Sequence, residues 1–340
     1  MRFGELELMS LSDGFFGLDG GAMFGVVPKP VWERTNPADS RNRIRLAARP
    51  LLIVAGAERI LVDTGIGDKW DAKARDIYRI EKPYTIESSL ARVGFGPGDV
   101  TRVILTHLHF DHAGATTKLD DSGRPVPRFP NARHYVQKKE WEAALTPNRR
   151  SRASYRLDDF LPVQDAGLLE LIDGDWKLDL TARDTIRNVG HFGHVPSPGL
   201  ELLLTGGHTP GHQIVILRDS SETRVQNPEG RIHSSPRPSP LSGEGERSEG
   251  EEAVGGRRSA DGGLRTAAFW GDLIPTSSHI ATPYIMGYDL FPLVTMEQKE
   301  RLVQQAIAGR WLSFLEHDPE FAAGVIESDN DKIVFRPSAV

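Results

Sequence analysis

The chain has no cysteine among its 340 residues. This absence excludes disulfide bonds, thiolate metal sites, iron–sulfur clusters and a cysteine nucleophile, and it leaves the redox compartment undetermined. Any metal ion in this protein must therefore be held by histidine and carboxylate side chains.

Long apolar runs and long basic blocks are also missing. No apolar run approaches the roughly 18 to 20 residues of a membrane-spanning helix, and residues 1–13 carry acidic side chains where a signal peptide is apolar. We therefore expect neither membrane insertion nor Sec export, and a cytoplasmic location. Forty-one Lys plus Arg oppose 47 Asp plus Glu, for a net charge of −6. We expect a small-molecule substrate rather than nucleic acid or a membrane. The oligomeric state is not predicted.

Apolar periodicity predicts strands that alternate with helices. Short apolar runs bounded by turn residues indicate strands at 6–11, 50–55, 59–62 and 103–105. Residues 51–55 and 60–63, separated by Gly56-Ala57-Glu58, predict a hairpin. Helical patterns follow at 86–93, 138–145 and 296–308. Interleaved strands and helices favour a mixed α/β layer fold.

Residues 220–263 depart from this pattern. The 44 residues include 14 charged and 8 glycine residues and no aromatic residue. Such a segment cannot bury enough apolar surface to offset its chain entropy, so we expect it to be disordered. An ordinary surface loop is the alternative. In both cases it separates two predicted core strands, 213–218 and 265–270.

A histidine cluster follows the predicted strand 103–105. His107, His109, Asp111 and His112 lie within six residues, in the stretch Thr106-His-Leu-His-Phe-Asp-His-Ala-Gly114. A tight turn after a buried strand allows these imidazole and carboxylate groups to converge. Because neutral imidazole and carboxylate suit Zn(II), the cluster predicts a metal site.

The arrangement His-x-His-x-Asp-His resembles the metallo-β-lactamase superfamily. Four further motifs match that family in order: Asp63-Thr-Gly65, Gly207-His-Thr-Pro-Gly-His212, Phe269-Trp-Gly-Asp272 and Glu316-His-Asp318. The 60 residues from 212 to 272 fit the family spacing once the 44-residue insert is removed, which leaves 16. The resemblance covers the whole chain. It implies an αββα sandwich of two mixed sheets flanked by helices, formed by a single domain, 1–340, that is interrupted by the insert.

The resemblance also implies two metal ions per chain. Zn(II) is expected, with iron or manganese as alternatives. One ion is assigned to His107, His109 and His212, the second to Asp111, His112 and His317, and Asp272 contacts both. Asp63 is expected to support the site from behind the ligands. His208 is assigned a supporting or structural role, with direct ligation as the alternative.

The resemblance extends to the lactonase and methyl-parathion-hydrolase-like branch. It implies that a hydroxide bridging the metals opens a lactone or cleaves an ester, as in the quorum-quenching N-acyl-homoserine lactonases, and that Asp111 orients it. Those enzymes use a Tyr close after the bridging Asp, whereas this chain has Pro275. His279 is the candidate that assists the substrate's leaving oxygen, with Tyr284 or Tyr288 as substitutes and a loop role for His279 as the alternative. The other functions considered are organophosphate triester hydrolysis and a non-catalytic metal-binding module.

Overall fold

The computed structural model describes residues 1–180, 186–187, 199–219, 264–330 and 332–338. The predicted disorder of residues 220–263 concerns a segment that lies outside the described residues. Within the described residues, no helix is long and apolar enough to cross a membrane. Strands and helices are numbered below in chain order.

Two large sheets dominate the described part of the chain. The first has the strand order β1-β2-β5-β6-β7-β10-β11 and the second the order β13-β12-β14-β15-β16-β17-β18-β19, and two short ribbons pair β3 with β4 and β8 with β9. The strands up to β10 are β1 (Arg2–Phe3), β2 (Leu6–Ser10), β3 (Phe15–Asp19), β4 (Arg43–Ala47), β5 (Leu51–Ala55), β6 (Glu58–Val62), β7 (Arg102–Ile104), β8 (Thr117–Leu119), β9 (Pro125–Pro127) and β10 (Arg133–Gln137). The remaining strands are β11 (Leu169–Ile172), β12 (Trp176–Asp179), β13 (Ile186–Arg187), β14 (Gly199–Leu204), β15 (Gln213–Arg218), β16 (Thr266–Phe269), β17 (Leu312–Phe314), β18 (Ala323–Asp329) and β19 (Lys332–Pro337).

Eight α-helices lie in the described residues, and some of them cover the outer faces of the two sheets. They are α1 (Gly20–Phe24), α2 (Lys29–Trp32), α3 (Ala72–Ile77), α4 (Ile86–Arg92), α5 (Phe110–Ala113), α6 (Lys138–Leu145), α7 (Leu161–Asp165) and α8 (Pro292–Gly309). Residues of α4 and α6 share a buried cluster with the first sheet, and residues of α8 share one with the second. The predicted αββα sandwich is confirmed.

The core between the sheets is apolar from both sides. Leu8, Ile53 and Val62 of the first sheet belong to one buried cluster with Val215 and Phe314 of the second. The side chains of a strand alternate between its two faces, so a central strand such as β5 contributes Ile53 to this cluster and Leu52 to the helix-covered one. This double burial explains why the central strands are apolar throughout.

The predicted local elements agree with the structure, with small shifts at their ends. The hairpin of β5 and β6 pairs Ala55 with Glu58, so Gly56 and Ala57 alone form the turn, and Gly56 has a positive φ of 58°. The helix expected at 296–308 begins earlier, at Pro292. Proline is favoured at the first helical position because the N–H it lacks has no partner there.

The strand ends place the candidate site. β6 pairs in parallel with β7, and β16 pairs in parallel with β17. The carboxyl ends of these strands lead directly to Asp63, to the stretch that begins at Thr106, to Asp272 and to Glu316. Motifs far apart in the sequence therefore meet at one edge of the sandwich.

Candidate metal centre

Asp63 anchors the histidine stretch from beneath. Its carboxylate accepts hydrogen bonds from Thr106 N at 2.7 Å and from Thr106 Oγ1 at 2.6 Å, and its Oδ2 lies 3.0 Å from His112 Nδ1. Its backbone has a φ of 54°, in the left-handed region that non-glycine residues seldom adopt. The turn after β6 thus aims this carboxylate at the turn after β7, as the Asp63 motif predicts.

One group of four buried side chains has its ligand atoms within 4.8 Å of one another: His107, His109, His208 and Asp272. His208 Nε2 lies 3.1 Å from His109 Nδ1 and 3.1 Å from Asp272 Oδ2. His107 Nε2 lies 3.8 Å from the same Asp272 oxygen. Burial lowers the pKa of His107 and of His109 well below 6.5, so these imidazoles are neutral, as metal ligands must be.

His212 does not belong to this group, although the sequence motif assigned it there. Its Nε2 accepts a hydrogen bond from Asp272 N at 3.0 Å, and its Nδ1 lies 2.7 Å from Thr205 Oγ1. Both ring nitrogens therefore have protein partners. The structure corrects the assignment: His208 takes the place predicted for His212, and His212 orients the Asp272 backbone from behind.

A second group contains the other three predicted ligands, Asp111, His112 and His317. His112 Nε2 and His317 Nε2 face each other at 3.0 Å, and His317 Nε2 lies 3.6 Å from Asp111 Oδ2. Asp272 Oδ1 lies 3.4 Å from His112 Nε2 and 3.2 Å from His317 Nε2. Because Asp272 Oδ2 faces the first group, this carboxylate lies between the two groups.

The hydrogen bonds behind the rings show that this donor set fits metal ions. His317 Nδ1 donates to Ala47 O at 2.8 Å, and His112 Nδ1 faces the Asp63 carboxylate. When these rings are neutral, both Nε2 atoms carry lone pairs directed into the centre, and a proton or a metal ion between them relieves their repulsion at 3.0 Å. His208 Nδ1 faces Asp289 Oδ1 at 2.8 Å, so in a neutral ring its Nε2 likewise carries a lone pair directed toward the first group.

The carboxylates draw positive charge into this centre. Burial alone lowers the pKa of His317, but the hydrogen bond and charge of Asp272 outweigh it and raise this pKa to about 9. Burial likewise raises the pKa of Asp272, yet His112 and His208 bring it well below 3.8. His107 Nε2 is buried and has no hydrogen-bond partner in the described structure. Such an unpaired nitrogen beside an ionised carboxylate suits a bound cation.

A cavity lies over the two groups and exposes them to a substrate. It has an empty volume of about 650 Å³, part of it open to solvent, and Asp111, His208 and Asp272 are among its lining residues. Its walls include Leu18, Met23, Phe110, Met286 and Tyr288. The cavity therefore joins a polar, titratable floor to an apolar wall, the usual composition of a small-molecule site.

His279 does not line this cavity, and the structure contradicts its predicted catalytic role. Its Nε2 donates to Met23 O at 2.9 Å, its Nδ1 lies 2.7 Å from Thr276 Oγ1, and its ring stacks on Phe24 with centroids 4.4 Å apart. With no exposed surface and two satisfied nitrogens, it has the structural loop role that was the alternative.

Tyr288 is the substitute that the structure brings to the cavity, whereas Tyr284 is not among the lining residues. The described residues give the Tyr288 hydroxyl no hydrogen-bond partner. Burial raises its pKa, so the hydroxyl remains protonated at neutral pH and is able to donate. Sequence reasoning named this residue only as one of several substitutes, because no motif marks it.

Glu316 is a buried carboxylate that lies beside His112 and Asp63. Its Oε2 lies 2.8 Å from His112 Nδ1, and burial raises its pKa to about 8. The sequence placed Glu316 in the motif that carries His317 but gave it no role.

Comparison with known proteins agrees with this geometry. The sequence profile of the metallo-beta-lactamase superfamily matches residues 48–225, just over half of the chain. The N-acyl homoserine lactonase AttM of Agrobacterium fabrum is 30% identical over 194 residues, which are 56% of this chain and 60% of that relative. The chain thus matches less than two thirds of that relative's length.

Solved structures share the fold over the full chain. A probable metal-dependent hydrolase from Staphylococcus aureus superposes with a TM-score of 0.73 and 26% identity, and the match covers 100% of both chains. AidC, a dizinc quorum-quenching lactonase solved in complex with a product, superposes with a TM-score of 0.64 and 19% identity over 100% of this chain and 97% of that one. From the profile match, the shared sandwich and the two ligand groups at its edge, we conclude that this chain belongs to the metallo-beta-lactamase superfamily.

Proposed function

We propose that the chain is a metal-dependent hydrolase that opens a lactone or cleaves an ester. The observation that carries the proposal is the position of Asp272, whose two oxygens face the two ligand groups, below a cavity with apolar walls. The name of the relative from Agrobacterium fabrum makes N-acyl homoserine lactones the first substrates to test.

The proposed ligand set would hold two Zn(II) ions per chain. His107, His109 and His208 would hold one ion and Asp111, His112 and His317 the other, with the Asp272 carboxylate available to both groups. Bound there, the two ions would supply Lewis-acid polarisation of the substrate carbonyl and a nucleophilic water at neutral pH. The fixed Nδ1 partners Asp289, Asp63 and Ala47 O keep the three Nε2 atoms directed into the centre.

The chain's own residues orient the substrate and move protons. Asp111 lies in the first turn of α5 and lines the cavity, where its carboxylate is placed to accept a hydrogen bond from the attacking water. Tyr288 faces the same cavity and is placed to donate its hydroxyl proton to an oxygen of the substrate. Leu18, Met23 and Met286 offer an apolar wall for the acyl part and keep water from it.

We also propose that residues 220–263 interrupt one domain, 1–340. Arg218 of β15 pairs with Thr266 of β16, and Asp219 N donates to Arg265 O at 3.0 Å. The two ends of the insert therefore leave adjacent antiparallel strands of the same sheet. A short turn is sufficient to connect such strands.

A substrate panel tests the activity. Zinc-loaded protein is assayed with an N-acyl homoserine lactone, a simple ester, a phosphotriester and a thioester, each with and without a chelator. We expect chelator-sensitive lactone or ester hydrolysis, and a large loss in Asp111→Asn. Turnover of the phosphotriester alone would replace the proposal with organophosphate hydrolysis. A fully metal-loaded protein that cleaves nothing in the panel would support a non-catalytic metal-binding module instead.

A further inference from the structure

A buried carboxylate outside the ligand set joins the two loops that supply the three histidines of the first group. Glu140 lies on α6 and has no exposed surface. Its Oε1 accepts from Leu108 N and from the Tyr155 hydroxyl, both at 3.0 Å. Its Oε2 accepts from Thr209 Oγ1 at 2.5 Å. The two carboxylate oxygens thus accept three hydrogen bonds from three separate segments of the chain.

Two of the three donors to Glu140 are immediate sequence neighbours of candidate ligands. Leu108 lies between His107 and His109 in the loop that follows the first sheet. Thr209 follows His208 in the loop that leads into the second sheet. One carboxylate therefore spans the gap between three imidazoles that come from two different sheets.

The third donor, Tyr155, reaches His109 from the other side. Tyr155 forms an antiparallel bridge with His109, and their rings lie 4.9 Å apart at a steep angle. The hydroxyl that bonds Glu140 thus belongs to a side chain packed against a candidate ligand. Loss of the carboxylate would release the backbone beside His109 as well as the ring that packs on it.

The loop of His208 has little freedom to move relative to α6. A Cβ atom on Gly211 would lie 2.2 Å from Glu140 N, so the loop backbone packs directly on the helix. The position of Thr209 against Glu140 is fixed by this close approach. Removing the acceptor would also leave Leu108 N–H buried without a partner, which is costly in a protein interior.

We propose that Glu140 is a positioning residue that sets the distance between His208 and the pair His107 and His109, and thereby the affinity of the first group for its metal ion. This inference rests on the metal centre of the proposed function. Glu140 contacts no candidate metal position itself and acts through Leu108 and Thr209.

Two pairs of variants test the inference. Glu140→Gln keeps the shape of the side chain but introduces donors, and Glu142→Gln makes the same change at an exposed position of the same helix. Thr209→Val removes the hydroxyl at nearly constant volume, and Thr209→Ser keeps it. The readouts are Zn(II) affinity, measured by competition with a chromophoric chelator, and the visible spectrum of the Co(II)-substituted protein, with thermal unfolding as a check of folding.

We expect Glu140→Gln to weaken binding of one of the two ions by about 10- to 100-fold and to change the Co(II) spectrum, as removal of groups behind ligands does. Thr209→Val should show a loss in the same direction, Thr209→Ser should recover most of it, and Glu142→Gln should match wild type. If Glu140→Gln does not fold, the two Thr209 variants decide.

Three results would overturn the inference. The first is a Glu140→Gln variant with wild-type zinc affinity and Co(II) spectrum, even if its melting temperature is lower, because Glu140 would then have only a structural role. If Glu140→Gln does not fold, the same result in Thr209→Val has the same meaning. The second is equal losses in Thr209→Ser and Thr209→Val, since the hydroxyl would not be the cause. The third is a wild-type protein that binds no zinc, which would also overturn the proposed function; the first two leave that function intact.

Discussion

Replacing His279 with Gln separates a structural role from a catalytic one. Gln keeps a donor near the position of Nε2, which bonds Met23 O, but it loses the Thr276 contact and the stack on Phe24. One buried hydrogen bond and one aromatic pair together contribute about 2 kcal/mol. We therefore expect the variant to be less stable than wild type by about that amount at pH 7.5, with kcat/KM nearly unchanged.

The same substitution removes a buried titrating group, so its effect depends on pH. Burial, assisted by Lys299, lowers the pKa of His279 from 6.5 to about 3. The unfolded chain therefore binds this proton at a higher pH than the folded chain, and wild-type stability falls as the pH drops from 6.5 toward 3. Between pH 7.5 and pH 5 this linkage lowers the free energy of unfolding of the wild type by about 2 kcal/mol, and the Gln variant does not show this loss. The stability advantage of wild type should thus shrink to near zero at pH 5.

Urea unfolding of both proteins at pH 7.5, 6.5, 5.5 and 5.0 measures this difference directly, because the other titrating groups are common to both. A constant gap across these pH values would refute the linkage. A loss of about 10² in kcat/KM at unchanged stability would refute the structural role and restore His279 as an assisting catalytic group.

Three further perturbations address the cavity and the insert. Tyr288→Phe should lower kcat by about 10² with little change in KM, whereas Tyr284→Phe should match wild type; equal effects would remove Tyr288 from the mechanism. Asp111→Asn should lose zinc, and it should lose far more activity than His279→Gln does. Elemental analysis and kcat/KM measure the two losses, and comparable losses in both variants would place His279 in the metal centre. Replacing residues 220–263 with a short Gly-Ser turn should preserve activity and shift Tm by only a few degrees, because each doubling of loop length costs about 0.6 kcal/mol. A large loss of activity would show that the segment forms part of the cavity.

The fold and most of the candidate ligand residues were predictable because the sequence patterns that mark them are local. The apolar runs around β5, β6 and β7 specify strands by themselves, and three histidines with one aspartate on a single turn need no tertiary contact to be recognised. Asp272 lies far along the sequence from the histidine cluster, but it was recognisable because it follows a predicted strand and a glycine. Its spacing from His212 fits the family once the insert is subtracted.

The errors concern residues whose partners come from elsewhere in the chain. His208 and His212 each follow a glycine in one short loop, and only the packed structure shows that the Asp272 N–H faces His212. The partners of His279 are equally remote, since Met23 lies 256 residues away in the sequence. Glu140 gave no signal, because a glutamate in a polar helix is normally exposed.

Zinc content measured after dialysis in three proteins tests the central claim most directly. The claim is that two ligand groups share Asp272 and that His208, not His212, completes the first. We expect close to two equivalents of zinc in wild type, about one in His208→Asn, and two in His212→Asn. Two equivalents in His208→Asn together with one in His212→Asn would contradict the ligand assignment, and one equivalent or none in wild type would contradict the two-metal centre itself.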